Sequence, residues 1–115
     1  MDPTSAMRAI ETELAHVWMV RTFLKHADET AGDEELQEIH RTLYDYQLAT
    51  GPAASAEDAA GYIKLARKKL AKLRSASADF ARIQPEVSTH TNFQMAVRSL
   101  AAAVAEIERV LCDVS

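Results

Sequence analysis

The sequence predicts an all-α fold, one antiparallel up-down-up-down four-helix bundle occupying residues 1–115. Three observations lead there. Apolar residues recur at spacings of three and four over long stretches, and no segment alternates with period two for long. The chain has only 3 Gly and 3 Pro in 115 residues, too little punctuation for a many-turned β fold. The apolar share of 48% and charged share of 26% are those of a globular chain. A chain of this length suits one domain and buries roughly two-thirds of its unfolded surface, enough for one modest core.

The first helix reads from Pro3 to Glu29. Asp2 is its expected N-cap, and proline costs nothing at the first helical position. Met7, Ile10, Leu14, Val17 and Leu24 form its stripe, with Arg21 in the missing place and Trp18, Val20 and Phe23 widening the face. Gly32 closes the connection, as a residue with positive φ often does after a helix.

The second helix reads from Asp33 to Ala49, with inward residues Leu36, Ile39, Leu43 and Tyr46. Its early glutamates suit the helix dipole, and Thr50-Gly51-Pro52 is read as its stop.

The third helix is expected to begin at Ser55, which makes a capping box with Asp58. Ala59, Ile63, Ala66, Leu70, Leu73, Ser77 and Phe80 follow, and Pro85 is read as the end. The fourth starts after Ser88 or Thr89 and carries Phe93, Val97, Leu100, Val104, Ile107 and Leu111. Seams of this mean period join nearly parallel helices knobs-into-holes, and short connections make successive helices antiparallel neighbours.

These boundaries leave the helices unequal. About 17 residues in the second helix span roughly 25 Å, and about 30 in the third span roughly 45 Å. Either the third helix breaks near Ser75–Ala78, or the hairpin of the third and fourth helices projects. The unbroken heptad rhythm favours projection, which would expose Phe80, Ile83 and Phe93 as a surface for a partner.

Net charge is −4, a poor starting point for a nucleic-acid binder. The charges are nevertheless blocked. Lys64, Arg67, Lys68, Lys69, Lys72 and Arg74 form an uninterrupted basic run, and Asp28, Glu29, Asp33, Glu34, Glu35 and Glu38 an acidic one. Folding about Gly51–Ala54 would set Asp33 level with Ala71 and Glu38 level with Ala66, matching the blocks within the chain. Alternatively Lys64, Arg67, Lys68 and Lys72 would receive an anion, although the run lacks interleaved aromatics and any nucleic-acid motif.

Candidate chemistry centres on the first two helices. Glu13 and His16 form a Glu-x-x-His step, whose members share a helix face and can reach one metal ion. The nearest second copy, Gln37 to His40, has an amide where a carboxylate is needed. His16, His40, Arg21, Tyr46 and Asp45 fall at similar heights when the helices fold about residue 31. Glu13, His16, His40 and Asp45 are thus a candidate transition-metal or small-ligand set.

Arg21 stands at a seam position, where a charge is costly unless paired. A polar seam residue can also fix register or oligomeric state. Trp18 beside it is of a type enriched in interfaces. No phosphate loop, nucleophile elbow, His-Glu-x-x-His step or CxxC pair is present, so the sequence offers an enzyme little positive support and leans against one.

The functional expectation is therefore a small cytoplasmic interaction or assembly module that needs no cofactor and forms a homodimer or binds a helical protein. Its surface would be Trp18 and Arg21, or Phe80, Ile83 and Phe93. The single Cys112 and the lack of a secretory leader point to a reducing compartment, and no apolar run is long enough for a membrane.

Overall fold

A computed structural model describes residues 1–115. The chain is all-helical: α1 (Pro3–His26), α2 (Asp28–Ala31), α3 (Glu34–Ser55), α4 (Ala59–Val87) and α5 (Thr91–Asp113). No strand forms, and the five helices assemble into a body of 41 × 22 × 19 Å. A helix the length of α4 spans about 43 Å, so α4 alone runs the long axis. No helix is long and apolar enough to cross a membrane.

α1 packs against α3 and α5, α4 packs against the same two, and α1 and α4 touch across the middle. Partners run in opposite directions along neighbours. Glu35 meets Arg82 and Tyr46 meets Ala66 between α3 and α4. Phe23 meets Phe93 at one end of α1 and α5, and Met1 meets Ser115 at the other. The core is one cluster built largely from the periodic residues. Ile10, Leu24, Leu36, Leu43, Leu73, Phe80, Leu100 and Ile107 are fully buried within it.

The helix ends depart from the sequence reading, each for a local reason. α1 stops at His26, not Glu29, because Ala27 is extended and its N–H turns back to the Leu24 carbonyl. The chain restarts at once as the single turn α2, whose carbonyls at Thr30 and Ala31 accept from the Gln37 side chain. Gly32 has φ of −102° and needs no glycine conformation.

α3 does not stop at Thr50-Gly51-Pro52 but continues to Ser55. Pro52 removes the bond to the Leu48 carbonyl and crowds that turn, but buried Thr50 and Ala53 anchor the backbone on both sides and packing carries the helix through. The end is a Schellman motif: Glu57 N–H donates to Ala54 O and Asp58 N–H to Ala53 O. The residue taking the left-handed conformation is Glu57, with φ of 54°.

Ser55 is therefore the last residue of α3, and the cap of α4 is Asp58, whose carboxylate accepts from Gly61 N–H at 3.0 Å. α4 runs unbroken through Ser75–Ala78 and past Pro85 to Val87. His90, not Ser88 or Thr89, caps α5: its Nδ1 accepts from Asn92 N–H at 3.0 Å.

These shifts remove the expected projection. With 22 residues, α3 covers most of the 29 in α4. Phe80, Ile83 and Phe93 lie in the core rather than on a tip. The later turn also moves the charge register. The acidic start of α3 meets Arg82, not the level of Ala66–Ala71, and Glu35 pairs with it at 2.8 Å.

Candidate functional site

The heptad stripe of α1 continues through Arg21, so the fold carries this side chain inward: Arg21 is 7% exposed. Trp18 precedes it by three residues and shares its side of the helix. On α3, Tyr44 lies beside the buried Leu43, turned by one residue toward α1. The two rings enclose the guanidinium, with Cζ at 4.3 Å from the Trp18 ring centroid and 4.7 Å from that of Tyr44. Such stacks draw on the ring quadrupoles, and arginine is well suited to them because its guanidinium is planar and weakly hydrated.

What the stack lacks is a counter-charge. Arg21 takes part in none of the chain's ion pairs. Its Nε is buried and has no acceptor. Two more buried polar atoms without partners lie on this seam, His40 Nε2 and Gln47 Oε1, and Thr22 Oγ1 on α1 is a third orphan. Gln47 uses its other end, donating from Nε2 to Leu14 O at 3.3 Å, which fixes the register of α1 against α3.

The surroundings are cationic. His40 is held below its ordinary range, first by burial and then by the positive charges of Arg21, Lys25 and Arg41. Lys25 and Arg41 are exposed, and Arg41 has only a 3.7 Å pair with Glu38 on its own helix. Around this cluster apolar surface reaches solvent: Trp18 is 42% exposed, Tyr44 37% and Leu48 55%. His40, Tyr44 and Leu48 recur every four residues, forming a second stripe on α3 outside the core stripe.

Of the predicted polar group, Arg21 and His40 come together. His16 is exposed, and Tyr46 turns to α4, donating its buried hydroxyl to Ala66 O at 3.0 Å. Asp45 lines the groove on the other side of α3. The proposed ligand set Glu13, His16, His40 and Asp45 is thus not assembled, because five residues of helix set Asp45 about 140° around α3 from His40 and His16 is exposed. No group of three or more His, Cys, Asp or Glu residues is placed to hold a metal ion.

The basic run on α4 is divided among several tasks. Arg67 donates to Leu111 O near the end of α5 at 2.8 Å, and Arg74 pairs with Glu108 at 2.8 Å. Lys69 and Lys72 line an open α3–α4 groove of about 590 Å³ together with Glu35, Glu38, Asp45 and Asp79. Lys64 and Lys68 remain exposed.

Sequence reasoning identified Trp18 and Arg21 but missed Tyr44 and Leu48. The four-residue spacing of His40, Tyr44 and Leu48 was the available signal. No family model, no curated protein and no solved structure matches this chain.

Proposed function

We propose that the chain is an up-down-up-down four-helix bundle, with α2 as a turn between the first two long helices. We propose further that it works as a non-enzymatic interaction module in the cytoplasm, self-associating through the α1–α3 face. One observation carries this reading. Trp18 and Tyr44 lie against an arginine that is buried without a counter-charge, Leu48 follows Tyr44 one turn on, and each of the three is more than a third exposed. Apolar surface clustered about a hydrogen-bonding centre is the composition of an interface, and tryptophan, tyrosine and arginine are the residues most enriched where binding energy concentrates.

The size of the patch sets the expected strength. The exposed parts of these three side chains amount to roughly 300 Å² per copy, taking aromatic side chains at about 150–250 Å² each. A stable interface buries about 1,200 Å² or more in total, so surrounding polar residues must supply the remainder. Self-association is therefore expected in the micromolar range or weaker.

Sedimentation equilibrium over a wide concentration range tests the reading. A concentration-dependent dimer that Trp18→Ala and Leu48→Ala each weaken supports it. A monomer at the highest concentration overturns it.

A further inference from the structure

The α1–α3 face holds a feature that apolar docking alone does not explain. Arg21 is more than nine-tenths buried, has no carboxylate partner and leaves Nε without an acceptor. His40, near enough to Arg21 to feel its charge, has a second unmet buried atom able to donate a hydrogen bond, Nε2. An imidazole held neutral can carry its one proton on Nε2 and donate from there. Lys25 and Arg41 add positive charge near His40. The rings of Trp18 and Tyr44 fix the guanidinium plane between them, so its edge is oriented before anything binds.

We infer that Arg21 and His40 form a binding site for one oxyanion, the carboxylate or phosphate group of a ligand, with Lys25 and Arg41 as the outer positive field. The chemistry follows from the donors. A planar guanidinium matches a carboxylate or phosphate edge and forms charge-assisted bonds to it, which are roughly twice as strong as neutral ones. A neutral ligand would satisfy the donors but leave the charge unpaired. A cation is repelled by the positive charges of Arg21, Lys25 and Arg41. The inference does not rest on self-association, since a monomer has the same donors.

Trp18 is the only tryptophan in the chain and lies against Arg21, so its fluorescence reports the site directly. The probes are inorganic phosphate and acetate, titrated against sodium chloride at matched ionic strength with dilute protein. The Arg21 Nε–H resonance is followed in parallel. The expected result is a saturable change with phosphate or acetate that chloride does not reproduce. Arg21→Met and Arg21→Lys are expected to weaken it at least about tenfold, from the usual strength of hydrogen bonds to charged groups.

If concentrating the protein without added anion produces the same Arg21 shift, the oxyanion is a carboxylate of a second copy, and the site stands with its source assigned. No response to either anion and none to concentration overturns the inference, as does a response that chloride matches. A dimer showing no Arg21 response leaves self-association intact while removing the oxyanion site.

Discussion

Replacing Arg21 by methionine should make the protein more stable. The wild-type arrangement has favourable and unfavourable parts. Two ring contacts at 4.3 and 4.7 Å contribute, each about 1 kcal/mol at partly exposed rings. Against them stand a buried Nε without an acceptor, costing about 1–3 kcal/mol, and the partial desolvation of a guanidinium that has no counter-charge. Methionine removes both costs, fills much of the same space and restores sulfur–aromatic contact of about 0.3–1.5 kcal/mol with the rings. The net expectation is a gain of about 1–3 kcal/mol, or roughly 4–10 °C in Tm for a domain of this size. Urea denaturation of dilute protein measures it. Arg21→Lys serves as the control: it keeps the charge, loses the planar stack and should be less stable than wild type. If Arg21→Met lowers stability instead, the stack holds α1 to α3 and the functional reading of Arg21 is wrong.

Three further outcomes follow from other parts of the fold. Glu57→Gly should stabilise by about 0.5–1 kcal/mol, because Glu57 sits at φ of 54° where an L-residue is strained by about 1–2 kcal/mol; part of the gain is offset by a freer unfolded chain. Glu57→Ala, with the same strain, should show no such gain in urea denaturation. Phe80→Ala should cost about 3–5 kcal/mol, since Phe80 is fully buried, yet leave the dimer constant of the folded protein unchanged by sedimentation. His40 is held below its ordinary range by burial and by Arg21, Lys25 and Arg41, so the unfolded chain binds its proton more readily than the folded one. Stability should therefore be full above about pH 6.5 and fall as pH drops below that value, levelling once folded His40 protonates. His40→Gln should flatten that decline in denaturation at about pH 7.5 and 5.5, and an unaltered slope would count against the assignment.

The legible parts of this fold are those set by one helix at a time. The rhythm from Ile63 to Phe80 and from Phe93 to Leu111 marks buried faces, and those residues are buried or half-buried as the rhythm requires. Helix ends are a different matter, because they depend on competition between neighbours. Ser55 and Asp58 both have side chains that can cap a helix, and the choice falls to Asp58 only because α3 runs through Pro52 to Ser55. The six residues added at the end of α3, Thr50–Ser55, then move the α3–α4 register, and Phe80, Ile83 and Phe93 are buried. One misplaced stop thus accounts for both the false tip and the false charge alignment. The register between α1 and α3 was accessible, since their turn lies near residue 31, and it sets Trp18 level with Tyr44. The pair was missed because only polar residues were compared at those heights, whereas the partners of Arg21 are aromatic.

The distribution of unmet polar atoms separates the α1–α3 seam from the other packed surfaces. Across the middle and the far side of the body, polar groups that go inward find partners. Tyr46 reaches Ala66 O, Tyr62 reaches Glu11 at 2.8 Å and Arg67 reaches Leu111 O. The orphans are Arg21 Nε, Thr22 Oγ1, Thr30 Oγ1, His40 Nε2 and Gln47 Oε1, all on α1, α2 or α3, and those of Arg21, His40 and Gln47 lie on the α1–α3 seam. Native chains satisfy nearly all buried polar atoms, and departures concentrate where function competes with stability. Arg21 differs from the others in kind: it takes part in no ion pair, and a guanidinium does not deprotonate to relieve the cost of its unmet Nε. The ring stack lowers that cost without cancelling it, which is the condition a site must meet if an incoming oxyanion is to bind more favourably than water.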